Sequence, residues 1–270
     1  MSALTFRLRQ APGLRVNLAP LVPQKLAGLK PSAIPELELA WGNAAIKVGD
    51  LFDVSGSDPS HLVFEGGSPK LDGIGEAMAS GEILVGGDAG AYLGQRMAGG
   101  AIRVEGSVGD YCASGAKNGL VTVAGNAGDF LGAALPGEHR GMAGGVVLIR
   151  GDAGDRVGDR MRRGMVLIEG GAGNYCASRM GAGTIAVLGR TGAGTATGMR
   201  RGTLLLNGTP DLPPTFNDCG VHSLGFLQLL YRSWASLPGR FAELPAGALT
   251  VRRRVGDLGN GGKGEVLVWV

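Results

Sequence analysis

A glycine-anchored unit returns every 19 residues between Leu62 and Gly208, and it constrains the fold of this chain more than any other feature. Gly66, Gly87, Gly106, Gly125, Gly151, Gly170, Gly189 and Gly208 anchor it; only the first interval, with two extra residues, and the fourth, with seven extra, depart from the period. A second glycine follows most anchors by three residues (Gly90, Gly109, Gly128, Gly154, Gly173, Gly192), and a third closes each unit (Gly81, Gly100, Gly119, Gly145, Gly164, Gly183, Gly202). These positions read as corners, because glycine turns at positive φ without steric cost.

Before each anchor stands a run with period two: Ile83-x-Val85, Ile102-x-Val104, Val121-x-Val123, Val147-x-Ile149, Val166-x-Ile168, Ile185-x-Val187 and Leu204-x-Leu206. Such alternation predicts strands with one buried face. The intervening residues Leu84, Leu148, Leu167 and Leu205 are apolar too, so the opposite face also needs cover. A unit this short cannot bury its own apolar face, whereas copies stacked at about 4.8 Å bury a continuous column, and seven would make a rod about 34 Å long. The expectation is an all-β parallel β-helix, a solenoid of about seven 19-residue turns.

The repeat assigns places to residues that otherwise suggest chemistry. Met78, Met97, Met142, Met161, Met180 and Met199 fall on one stacked position, where an unbranched thioether fills the corner of a narrow core. Cys112 and Cys176 lie on another apolar position, three turns and about 14 Å apart, too far for a disulfide, and Cys219 has no Cys-x-x-Cys companion. With His61, His139 and His222 scattered, no metal-ligand set is visible. No catalytic and no metal-binding residue is expected in this chain.

Fifty-one glycines among 270 residues far exceed the usual share, and the net charge of +3 is small. That balance does not point to nucleic acid. The start Met1-Ser2-Ala3-Leu4-Thr5-Phe6 lacks a signal-peptide core, no stretch is long and apolar enough for a membrane span, and unpaired cysteines suit a reducing compartment. A cytoplasmic location is expected. Three segments follow: 1–61 as a strand-rich cap punctuated by Pro20, Pro23, Pro31 and Pro35, 62–208 as the repeat, and 209–270 with a helix and a strand. The helix is read from Leu224, Leu227, Leu230, Tyr231 and Trp234 with Ser223 as its N-cap, placed to cap the rod or cover its apolar side, and the strand from Glu265 to Val270.

Glycine-rich strings do not read as nucleotide sites. Gly192-Ala193-Gly194 through Gly198 lacks the dinucleotide spacing, and Gly256 through Gly264 carries Gly264 where a phosphate loop needs Ser or Thr, so it reads as a hairpin loop. The position after the anchor runs Asp88, Ser107, Asn126, Asp152, Gly171, Arg190, which argues against calcium-binding rolls. Asp110, Asp129, Asp155 and Asn174 form an acidic ladder beside an aromatic one of Tyr92, Tyr111, Phe130, Arg156 and Tyr175. The aspartates are read as corner residues bonded to their own backbone. Arginines stack as well: Arg96, Arg160 and Arg179 nine residues after the anchor, Arg162 and Arg200 eleven after, Arg163 and Arg201 twelve after. Either they are a solvated edge neutralised by Asp159 and Asp155, or they form a strip for an anion or acidic partner.

The Gly-x-Ala-Gly-x-x-x-Gly-x-x-Met repeat, the string Gly49-Asp50-Leu51-Phe52-Asp53-Val54 and the closing Arg254-Val255-Gly256-Asp257 with Gly262-Lys263-Gly264-Glu265 resemble the C subunit of formylmethanofuran dehydrogenase over nearly the whole chain. The repeat alone also resembles the carboxy-terminal β-helix of the glutamate synthase large subunit; the flanks favour the first family. That resemblance implies a right-handed β-helix, a scaffold without catalytic residues, assembled with a metal-dependent amidohydrolase-like A subunit, a B subunit and a formyltransferase. In archaea the family serves a molybdenum or tungsten enzyme. In methylotrophic bacteria a related formyltransferase/hydrolase complex of one-carbon metabolism moves a formyl group from tetrahydromethanopterin to a methanofuran-type carrier and releases formate. The Arg- and Ala-rich, Lys-poor composition favours the bacterial complex. No cofactor is expected on this chain alone, metal would lie in partner subunits, and Arg160, Arg162, Arg163, Arg179, Arg200 and Arg201 would guide the carrier's glutamate-bearing tail.

Overall fold

In the computed structural model, which describes residues 2–244 and 249–270, the alternating runs before the anchors become consecutive strands of one sheet. Ile102, Val121, Val147, Val166, Ile185, Leu204 and Val266 stand beside one another in parallel register. The 26-residue step from Val121 to Val147 keeps that register because its seven extra residues leave the strand and loop out at the corner. Among the described residues the sheet has 13 strands, running from Asn217–Ser223 through Thr250–Gly256, Gly264–Trp269 and the repeat strands to Asp58–Glu65, Ala3–Leu8 and Phe52–Ser55. A second parallel column, of single bridges, joins Val108, Ala127, Ala153, Ala172 and Thr191 on another side of the repeat.

Side chains on the two faces have different fates. Ile102, Val104, Val147, Val166, Ile185 and Leu204 point into a core shared with the six methionines, each at most 2% exposed. Five of the thioethers reach the closing glycine of the next repeat, and Met199 reaches Gly264: a Cβ on Gly183 would stand 3.0 Å from Met161 Cε, and its φ is +105°. The opposite face divides in two. Leu148, Leu167, Ala186, Leu205 and Leu267 are buried under a second apolar cluster that includes Leu227, Tyr231, Trp234 and Phe241, whereas Leu84, farther down the stack, is 37% exposed. The C-terminal helix therefore covers the side of the stack and leaves its first repeats bare.

Ladders of side chains tie the corners together. Oδ1 of Asp110 accepts from the N–H of Asp129, that of Asp129 from Asp155, and that of Asp155 from Asn174, at 2.7–2.9 Å. A second ladder runs from Asp88 through Ser107, Asn126 and Asp152 to Gly171. These aspartates thus serve the backbone of the following repeat rather than their own, because stacking presents the next N–H directly above each carboxylate. Tyr92, Tyr111 and Phe130 stack face to face with centroids 5.5 and 4.7 Å apart, and Arg156 lies 4.8 Å over Tyr175.

Flanking elements differ in part from expectation. The helix spans Phe226–Trp234 after Gly225 and has no side-chain cap. Ser223 is not that cap: it ends the strand Asn217–Ser223, where pairing with Thr250 holds its backbone extended. The closing strand runs Gly264–Trp269, and the glycine-rich string before it joins antiparallel partners, with Gly256 opposite Gly264. Among the described residues no helix is long and apolar enough to cross a membrane.

Candidate anion site

Stacking turns the arginine spacing into a surface. Arg160, Arg162, Arg179 and Arg200 line one hollow of about 470 Å³ together with His139, Gly181, Gly198 and Asn260. Its floor exists because Gly181 and Gly198 carry no side chain: a Cβ at Gly181 would lie 3.0 Å from Arg162 Nη1, and one at Gly198 would lie 3.3 Å from Arg179 Cγ. The guanidinium stems lie along the stack over these glycines.

The arginines are not equivalent. Arg179 is neutralised, since its Nε and Nη2 both donate to the carboxylate of Asp159, which is 4% exposed and also accepts from Ser178 Oγ. That hydrogen-bonded carboxylate raises the Arg179 pKa above its ordinary value. Asp155, the other expected neutraliser, places its Oδ1 on the Asn174 N–H and makes no ion pair among the described residues. Arg162 and Arg200 are exposed and have no acidic partner among the described residues. Arg160 donates to His139 Nδ1 at 2.9 Å. Arg163 and Arg201, each one residue beyond the hollow's lining, are exposed and likewise without an acidic partner among the described residues.

One end of the hollow is closed by the C-terminal hairpin. Asp257, 3% exposed, accepts from the Gly198 N–H, Asn260 Nδ2 and Thr215 Oγ1. Burial works against its charge, and these donors outweigh it and hold the carboxyl below the usual range. The same bonds set Asn260 into the hollow, beside Arg200, whose carbonyl accepts from the Lys263 N–H at 2.7 Å. Unpaired guanidiniums with an amide at the rim suit a ligand carrying several carboxylates or phosphates.

His139 and Asn260 lie outside the residues expected for this site. The seven-residue insertion in an otherwise regular repeat was a signal for His139; Asn260 meets the hollow only through long-range packing. Elsewhere, Cys112 and Cys176 are free and buried, and burial pushes each thiol up to about 12, while Cys219 is free and exposed. A larger hollow, about 640 Å³, lies over the bare repeats, lined by Val63, Leu84, Leu120 and Thr122 with His61 and Asp58 at its edge. Hydrogen bonds from Ser60 and His61 hold Asp58 down to about 2. Among the described residues no group of three His, Cys, Asp or Glu is arranged to hold a metal ion.

No protein-family model matches the chain. It is 43% identical over 89 residues to the C subunit of the formyltransferase/hydrolase complex of Methylorubrum extorquens, which is 33% of this chain and 34% of that protein. It is 35% identical over 95 residues to the C subunit of a tungsten-containing formylmethanofuran dehydrogenase of Methanococcus maripaludis, again 34% and 35% of the two chains. These matches span about a third of the length of the curated relatives. Against the crystal structure of the formyltransferase/hydrolase complex of M. extorquens with methylofuran, the likeness covers 98% of this chain and 99% of the other, at 43% identity and a TM-score of 0.92.

Proposed function

The chain belongs to the C-subunit family of formyltransferase/hydrolase and formylmethanofuran dehydrogenase complexes, and from that premise we propose that it is the non-catalytic scaffold of a formyltransferase/hydrolase complex. The observation that carries the reading is the near-complete structural match at 43% identity to a chain of the methylofuran-bound complex. Its partners are an amidohydrolase-like A subunit, a B subunit and a formyltransferase. The assembly moves a formyl group from tetrahydromethanopterin to a methanofuran-type carrier and releases formate in the cytoplasm, with the metal in partner subunits.

In this reading the repeat is a right-handed parallel β-helix over 62–208, between a strand-rich cap (1–61) and a closing helix-and-strand segment (209–270). In-register parallel strands, the second column of bridges and the right-handedness of parallel crossovers support it. The rod holds its partners in register, and Arg160, Arg162, Arg163, Arg200 and Arg201 steer the anionic tail of the carrier; Arg179 contributes through its stem, its charge being held by Asp159.

Affinity purification of the tagged chain from its own cells, followed by mass spectrometry, is expected to recover the three partners in fixed ratio. Isolation as a lone monomer with hydrolase activity would overturn the scaffold reading. Reversing charge at Arg162, Arg163, Arg200 and Arg201 is expected to leave assembly intact and raise the carrier's KM, most strongly at low salt. Unchanged turnover of the carrier would remove the strip from the proposal.

A further inference from the structure

We propose that carboxylate binding in the arginine hollow is proton-linked through His139: an incoming carboxylate takes over the Arg160 guanidinium, and the released imidazole accepts one proton from solvent and donates to the same ligand. The proposal rests on reading the hollow as an anion site, and it identifies the group that tunes that site.

His139 reaches the hollow only because the fourth repeat is longer than the rest. The insertion is fastened at both ends to the repeat that follows it: Ala134 N–H donates to Asp159 O at 3.1 Å, and Gly141 N–H to Arg160 O at 3.0 Å. Glu138 within it makes an ion pair with Arg96, two repeats away in the stack. These ties hold the imidazole over Arg160, with Nδ1 2.9 Å from Nη1. A guanidinium has five donors, no acceptor and no accessible deprotonated form. Facing Arg160, Nδ1 must therefore accept, and the imidazole is neutral with its hydrogen on Nε2.

Cations surround that ring. Arg160 and Arg162, then Arg179, then Arg200 face the cavity from three successive repeats of the stack, and Arg140 adjoins His139 in sequence. The nearby acids are engaged: Asp159 with Arg179 and Ser178, Glu138 with Arg96. A carboxylate entering the hollow reverses this balance. It supplies the counter-charge that an imidazolium lacks, and it offers Arg160 a better acceptor than a ring nitrogen. The proton then goes onto Nδ1, which changes from acceptor to donor.

Affinity for a carboxylate ligand then rises as pH falls, by up to about tenfold per pH unit for one linked proton. The test uses the full chain and a triglutamate peptide in low salt. Calorimetry at pH 7.5 in two buffers of different ionisation heat counts protons, and affinity is compared at pH 6 and 8. Uptake of close to one proton per peptide, with binding about tenfold or more tighter at pH 6, is the expected result. His139→Asn keeps an acceptor toward Arg160 and cannot titrate; it should abolish the uptake and flatten the pH dependence. Peptide binding without proton uptake in the unaltered chain, or uptake that survives in His139→Asn, overturns the proton link and leaves the anion site standing. Absence of peptide binding at every pH overturns both.

Discussion

Trp234→Ala is expected to release the outer helix from the sheet without unfolding the stack of repeats. Trp234 is fully buried; its ring centroid lies 5.5 Å from that of Tyr231 and 5.2 Å from that of Phe241, and its Nε1 is 3.4 Å from Met165 Sδ. A buried aromatic of this size hides about 150–250 Å², or about 4–6 kcal/mol at ~25 cal/mol per Å². Alanine retains part of that area and the segment relaxes, so a loss of about 3–5 kcal/mol is expected. The helix has nine residues, fewer than the ~12–15 an isolated helix needs, so docking is what keeps it formed. The apolar cluster around Trp234 is separated by the sheet from the methionine-lined core. Hydrogen exchange read by mass spectrometry should show protection of 224–244 falling by about two to three and a half powers of ten. Peptides covering Ile102–Val104 and Val121–Val123 should change by no more than a few-fold. Equal acceleration in both regions, or in neither, would refute the idea of two independently held layers.

Met161→Ala should lower stability by about 2–5 kcal/mol in urea denaturation, because the thioether fills a core corner that its neighbours cannot collapse into. Gly183→Ala should also destabilise, by more than about 1 kcal/mol, since it combines a left-handed backbone with the Met161 Cε contact. Asp129→Ala removes one rung of the corner ladder and should cost about 1–2 kcal/mol, whereas Asp129→Asn keeps the acceptor, as Asn126 and Asn174 do, and should stay within about 0.5 kcal/mol. In the native chain a thiol reagent at pH 8 should modify Cys219 alone, and all three cysteines only after denaturation. The buried thiols keep their protons to about pH 12 while unfolded ones ionise near 9, so their contribution to stability is complete below pH 9 and is lost as pH climbs from 9 to 12. A denaturation midpoint that rises over that interval would contradict this sign.

Much of the scaffold is legible in the chain because the repeat is a one-dimensional signal. Period-two runs at constant spacing fix which residues share a register, and the strand pairing follows them from Ile83 to Leu204. Free, buried Cys112 and Cys176 and the methionine column follow from the same arithmetic. The flanks carry no such periodicity. Ser223 has the chemistry of a helix cap, yet pairing with Thr250, 27 residues on, decides its backbone, and neither Asn217–Ser223 nor Thr250–Gly256 announces itself as a strand. The aspartate ladders were visible as columns, but their bonding partner one repeat ahead was not.

The sequence by itself determined the stacking unit, the residues that line its core and the existence of an arginine column, because each depends only on position within a 19-residue period. Tertiary structure alone decided which of those arginines carry available charge. Asp159 silences Arg179, Asp155 turns to the backbone, an insertion brings His139 onto Arg160, and the C-terminal hairpin closes the hollow with Asn260. Periodicity specifies where a side chain starts; the charge it presents depends on contacts between segments far apart in the chain, and only folding makes them neighbours.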